Sequence, residues 1–258
     1  PIRRRFVAYQ VKKISESQLV SQQILMFKKI GLDWADSHNT VLKYGGTQLD
    51  LNSQRSQHFE LFAALSKVVQ PKRILEIGTS EGYFTTFLAR LFPNCVIETI
   101  DLPISDQRFW NAIDSDLDNG RDYKSFLKPD SPAIVIRNQN LQSASNVIFR
   151  EANSLSLSRL EGIKYDIIWV DGDHTFPTVA CDIANSIRLL DINGLIICDD
   201  VFLDHRHHSK WGSDETFKVL NAFKEANLIT TEFVLKSINP QKNYSKSVQK
   251  YLAVIKIL

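Results

Sequence analysis

The chain has little of what stapled or membrane-bound proteins depend on. It holds three cysteines in 258 residues, Cys95, Cys181 and Cys198, each in or beside an apolar run. No Cys-x-x-Cys or Cys/His ligand spacing joins them, which argues against a disulfide framework or a zinc site and for buried free thiols in a reducing compartment. No apolar run approaches the ~18 residues a membrane span requires. Charge of one sign is also missing. Lys+Arg 31 against Asp+Glu 29 gives a net charge of +2, too balanced for a general nucleic-acid binder. The basic start, PIRRRFVAYQVKK, has no apolar stretch behind it and does not read as a secretory signal. Its Arg3-Arg4-Arg5 run reads as solvated, and a cytoplasmic location is expected. No internal repeat or low-complexity segment is present.

What is there is an ordinary globular composition, 43% hydrophobic and 23% charged. A chain this long buries roughly 75% of the surface its unfolded form exposes. Helical spacing over 15–31 (Leu19, Ile24, Leu25, Phe27, Ile30) stops at Gly31. Residues 32–55 are turn-rich and read as a lid or arm, so 1–55 are expected to form a helical extension that is a candidate for pairing of chains. A second helix runs from Ser56 through Phe59, Phe62, Leu65 and Val69 to Pro71. The main domain, 56–258, then alternates. Strands are expected at 73–78, 96–101, 147–151, 165–171 and 194–200, and helices at about 82–92, 174–190 and 213–227. TTEFVLKS and KYLAVIKIL follow as two strands with only a hairpin loop between them. Alternating units with strands buried on both faces imply an α/β doubly wound, mostly parallel sheet with an antiparallel C-terminal hairpin. Residues 104–146 are longer than a connection needs and read as a substrate-side insertion.

A further absence decides the ligand class. In RILEIGTSEGYF, a strand runs into a turn with glycine at 78 and 82 only. A dinucleotide fingerprint would need glycine where Ser80 and Tyr83 stand. A phosphate loop would need a different spacing and a following lysine. The turn is therefore not built for phosphates. In E-x-G-T-S-E-G-Y the chain resembles the class I S-adenosylmethionine-dependent methyltransferases. The resemblance implies that Gly78, Thr79, Ser80 and Gly82 wrap the methionine end of that cofactor, with Glu76 supporting the loop. Asp101, ending the second strand, would accept from both ribose hydroxyls, a role suited to a carboxylate facing a vicinal diol. Tyr83, Leu102, Asn153, Ser154 and Asp171 are the further cofactor contacts it implies.

Two later strands, in YDIIWVDGDHTF and NGLIICDDV, end abruptly in acids. Strand C-terminal ends line the ligand crevice of an open parallel sheet. Acids packed against apolar strands are costly without a cationic partner. No Arg or Lys is adjacent in either segment, and oxygen-only ligands favour Mg²⁺ or Ca²⁺. These segments look like the metal-dependent O-methyltransferases, closer to the antibiotic and sugar branch than to the catechol type. That resemblance implies a divalent cation, Mg²⁺ foremost, on Asp171, Asp199 and Asp200. Where the catechol pattern has lysine, this chain has His174, read as the general base on an acceptor hydroxyl, with the alternative that it only shapes the turn. DHRHHSKW (204–211) reads as a solvated loop or a flap, and Trp110 and Trp211 as substrate walls or simple packing.

The expected activity is methyl transfer to a small-molecule hydroxyl. A methyltransferase acting on a macromolecule, a metal-dependent hydrolase and a non-catalytic S-adenosylmethionine binder remain open. The chain lacks the Asn/Asp-Pro-Pro-Tyr/Phe sequence of base-amino methylation.

Overall fold

A computed structural model of the chain describes residues 16–45, 57–106, 131–203, 214–239 and 248–258. Helices α1 (Glu16–Lys29), α2 (Trp34–Tyr44) and α3 (Gln57–Leu65) lead into the sheet. Then come β1 (Arg73–Ile77), α4 (Tyr83–Leu91), β2 (Val96–Asp101), α5 (Pro132–Gln142) and β3 (Val147–Glu151). A 3₁₀ turn (Ser154–Arg159), β4 (Tyr165–Val170), α6 (Thr178–Leu189), β5 (Leu190–Val201), α7 (Glu215–Glu225), β6 (Ile229–Asn239) and β7 (Val248–Ile257) complete it.

The seven strands lie in the order β3-β2-β1-β4-β5-β7-β6. The first five are parallel, and β7 pairs antiparallel with both β5 and β6. The expected doubly wound sheet with a terminal hairpin is observed. Its order reverses between β1 and β4, and a crevice opens outside their carboxyl ends at such a switch point. The start of β1 is pinned to β4 by Asp166, whose carboxylate accepts from the N–H groups of Lys72 (2.7 Å) and Arg73 (2.9 Å).

Alternation along β4 divides the core. Ile167 and Trp169 face one side with Phe62, Phe87 and Leu88 of α3 and α4. Ile168 and Val170 face the other with Val179 and Ile183 of α6 and Leu220 of α7. The N-terminal helices belong to the first of these layers, since Phe27 and Val41 are fully buried in it. Gln23 ties α1 to β6 through a bond from Nε2 to the Leu235 carbonyl (3.2 Å).

The turn-rich reading of 32–55 is corrected by α2. Asp33 caps that helix by accepting from Ala35 N at 2.9 Å. Its buried polar residues satisfy themselves locally: Ser37 Oγ donates to Trp34 O and Thr40 Oγ1 to Asp36 O. The expected insertion contains α5, started by Ser131 as cap and Pro132 at the first position, where a missing N–H costs nothing. The 204–211 cluster, Trp110, Trp211, Arg3-Arg4-Arg5 and the hairpin loop lie outside the described residues.

Candidate active site

The glycine turn between β1 and α4 is dictated by a close backbone approach. Gly78 has φ +99°, and a Cβ there would stand 2.2 Å from the carbonyl oxygen of Asp171. Only glycine meets both conditions. Ser80 also sits at positive φ (50°), and a carboxylate holds it there. Asp101 Oδ2 accepts from Ser80 N (2.8 Å) and Thr79 N (3.2 Å), while Oδ1 accepts from Leu102 N (2.8 Å). Burial raises the Asp101 carboxyl above its ordinary range, opposed by these N–H donors and by the charge of Arg137. Oδ2 already accepts twice, and Oδ1 keeps lone-pair capacity for one further donor, so one hydroxyl of the expected ribose role can still be met there.

Glu76 lies under the turn, 1% exposed. It accepts from Thr85 Oγ1 at 2.5 Å, and burial pushes its carboxyl up to about 8. Its support is thus to the first turn of α4. The loop itself is fastened by Thr79 Oγ1 to Thr99 Oγ1 (2.6 Å) and by Asn140 Nδ2 donating to the Glu81 carbonyl (2.8 Å). Gly82 caps α4 at φ +73°, and Tyr83 begins it, exposed. Leu102 packs on Ile134 of α5. Asn153 caps the 3₁₀ turn through Leu155 N (2.9 Å), and the preceding Ala152 N–H donates to the Asp101 carbonyl (2.8 Å). Asn153 and Ser154 therefore continue the rim from Asp101.

Two β-bulges build the rest of the site. The β5–β7 register slips between Cys198 and Val201, with Asp200 at φ 48°. The β6–β7 register slips between Leu235 and Ser237, around Lys236. Successive strand residues normally point to opposite faces, and a bulge re-aims them. Here the result is an ionic cluster. Lys236 Nζ binds Asp199 Oδ2 (2.5 Å) and Asp200 Oδ1 (2.8 Å), and Lys250 Nζ binds Asp200 Oδ2 (2.6 Å). Lys250 also stands over the Phe202 ring. Although burial works against the charged forms, the lysines hold the Asp200 carboxyl well below its ordinary range, and the carboxylates hold the Lys236 ammonium well above its own.

Asp171, at the end of β4, faces the crevice and pairs with His174 (Oδ1 to Nε2, 3.4 Å). Burial and the charge of Asp199 raise the Asp171 carboxyl, against the bond from His174. Burial alone would lower the His174 imidazole, but the bond to Asp171 and the charges of Asp200, Asp171 and Asp199 leave it raised. Across the cluster His58 of α3 stacks on Trp169 (centroids 5.5 Å apart). Burial and the Lys236 charge hold it neutral, at about 3.

Residues 75–201 match the model of a family described as a methyltransferase domain. This segment, just under half of the chain, is similar to that domain. No curated protein matches the chain at a significant level. Among solved structures, a candidate caffeoyl-CoA O-methyltransferase from Staphylococcus aureus is 18% identical, with TM-score 0.52 over 92% of this chain and 99% of that one. A candidate O-methyltransferase from Klebsiella pneumoniae is 22% identical, with TM-score 0.50 over 89% and 88%. An N-methyltransferase, NodS of Bradyrhizobium japonicum with S-adenosyl-L-homocysteine, is 15% identical, with TM-score 0.52 over 86% and 98%. At these identities they show the fold alone.

The expected metal set is brought to one place but does not fit a divalent ion. Asp199 and Asp200 already bind two ammonium groups. Three carboxylates thus face two lysines and one imidazole, and a further double charge would sit against both ammoniums. Two like unit charges this close in a partly buried site repel by about 4 kcal/mol at an effective dielectric of about 20 and a separation of about 4 Å. No group of three or more potential metal-ligating side chains occurs among the described residues. Sequence reasoning missed Lys236, Lys250 and His58. A lysine in a strand read as an edge carries no such signal, and His58 was hidden in an aromatic helix.

Proposed function

We propose that the chain transfers a methyl group from S-adenosylmethionine to a hydroxyl of a small molecule. One observation carries this reading. The backbone of Asp171 touches the cofactor turn at Gly78, while its side chain holds His174. The donor loop and a proton-accepting pair are therefore contiguous. In this reading Gly78, Thr79, Ser80, Gly82 and Tyr83 line the methionine end, and Asp101 receives a ribose hydroxyl on Oδ1. Leu102, Asn153 and Ser154 continue the cofactor channel.

The acceptor oxygen attacks the methyl carbon in line with sulfur. A C–O bond forms, the C–S bond breaks, and S-adenosylhomocysteine leaves with the electron pair. The hydroxyl proton passes to the His174 imidazole, whose positive charge Asp171 then stabilises. Alignment of two bound partners supplies up to ~7–11 kcal/mol of such a barrier, and a positioned base contributes about 10²–10⁴-fold. No divalent cation is written into this reading, because the carboxylates that would hold it are ion-paired. A small-molecule acceptor and a cytoplasmic location belong to the same proposal.

The test is release of S-adenosylhomocysteine with a panel of hydroxylated small molecules. His174→Asn is expected to lower kcat about 10²-fold or more while calorimetric S-adenosylmethionine affinity stays within a few fold. Full turnover by that variant would remove His174 from the chemistry.

A further inference from the structure

The ionic cluster at the ends of β5, β6 and β7 has a geometry that a merely structural pair would not need. Asp199 is 3% exposed and the Lys236 side chain 12%. Both lie at bulges, where the ladder gives up regular pairing to aim them inward. Ordinary strand alternation would have sent Asp199 and Asp200 to opposite faces. Instead Asp200, at positive φ, bridges the two lysines with its two oxygens. Non-glycine residues in that region persist only where the surroundings hold them, and they cluster at functional sites. The neighbours are His174, Asp171 and His58, all coupled electrostatically to these acids or to Lys236.

We infer that Lys236 and Lys250 are the cationic element of this active site, built into the chain where a divalent ion would otherwise bridge the acids. The inference rests on the methyl-transfer reading and deepens it. An acceptor hydroxyl that loses its proton to His174 develops negative charge on oxygen. A fixed ammonium beside it stabilises that charge in a site partly shielded from water. Among the described residues Lys236 has two carboxylate partners and Lys250 one. An ammonium has three donors, so one N–H of Lys236 and two of Lys250 are left over for the acceptor oxygen. The acids serve as positioning residues: they fix the lysines and keep them protonated. Both lysines lie outside the 75–201 span that matches the methyltransferase domain. The cationic element is therefore a property of the C-terminal hairpin, and methyl transfer here does not call for a divalent cation.

The experiment is a Mn²⁺ titration of the full chain followed by electron paramagnetic resonance, alongside turnover with and without EDTA. The unmodified protein is expected to leave Mn²⁺ free up to millimolar concentration, and EDTA to leave S-adenosylhomocysteine release unchanged. Lys236→Met is expected to lower kcat about 10²-fold, the scale of losing one fixed donor to a developing oxyanion, with S-adenosylmethionine affinity retained. In Lys236→Ala/Lys250→Ala the unmasked carboxylates are expected to gain a Mn²⁺ site. Stoichiometric Mn²⁺ binding by the unmodified protein at micromolar concentration would overturn the inference, as would turnover abolished by EDTA. A folded double variant that gains no Mn²⁺ site would also overturn it. If the variants do not fold, the titration of the unmodified chain still decides. Failure of S-adenosylmethionine to bind would instead sink the methyl-transfer reading, and the Mn²⁺ titration is independent of that result.

Discussion

Replacing Glu76 by glutamine tests how the glycine turn is supported. Glu76 is buried beneath the turn, and its carboxyl rises from an ordinary 4.5 to about 8, chiefly through burial, against hydrogen bonds from Thr85 and Thr99. The folded chain therefore keeps a proton that the unfolded chain has lost. Its stabilisation is complete below pH 4.5 and is lost as pH rises through 8. Between those values the linkage removes about 1.4 kcal/mol of stability per pH unit, approaching ~5 kcal/mol over the window. Glutamine mimics the protonated acid in shape and can still accept from Thr85, but it does not titrate. The advantage of Glu76→Gln over the parent should therefore grow with pH at about that slope and level off above pH 8.5. Urea unfolding of both proteins at half-unit steps from pH 5 to 9, without ligand, reads the difference directly. Asp101 and Asp171 are also raised, and their contributions cancel in the comparison. Parallel stability curves would show that Glu76 is ionised in the fold, and the account of the turn would fail.

Gly78→Ala combines a φ of +99° with a Cβ 2.2 Å from the Asp171 carbonyl oxygen. Backbone strain of about 1–2 kcal/mol and displacement of about 1–3 kcal/mol predict a loss of roughly 2–5 kcal/mol by urea unfolding, together with weakened S-adenosylmethionine binding; a neutral effect on both would contradict the contact. Phe27→Ala removes a fully buried ring from the layer shared with Phe62 and Phe87. It should cost about 3–5 kcal/mol in a single transition, whereas an independent arm would unfold separately in differential scanning calorimetry.

Much of this was legible in the chain because the signals are local. The β1 turn could be read from two glycines, and the sheet from the alternation of runs around Trp169 and Ile197. The acids at 171, 199 and 200 were visible as strand ends. Helix α2 was not, because WADSHNTVLKY carries turn-forming residues whose hydroxyls are satisfied only once the helix exists. The partners of the acids were hidden for a different reason. Lys236 and Lys250 stand 37 and 50 residues beyond Asp199 and Asp200, and two register slips bring them in. A bulge leaves no period in the sequence, so acids without adjacent cations read as metal ligands. His58 was masked by Phe59 and Phe62, whose spacing reads as core.

The most direct test of the central claim is transfer of a trideuteromethyl group from labelled S-adenosylmethionine to a panel of hydroxylated small molecules in EDTA, followed by mass spectrometry. The account predicts label on an acceptor oxygen with an equal amount of S-adenosylhomocysteine. Bound S-adenosylmethionine with label on nitrogen, or with no label until a divalent cation is restored, would contradict it.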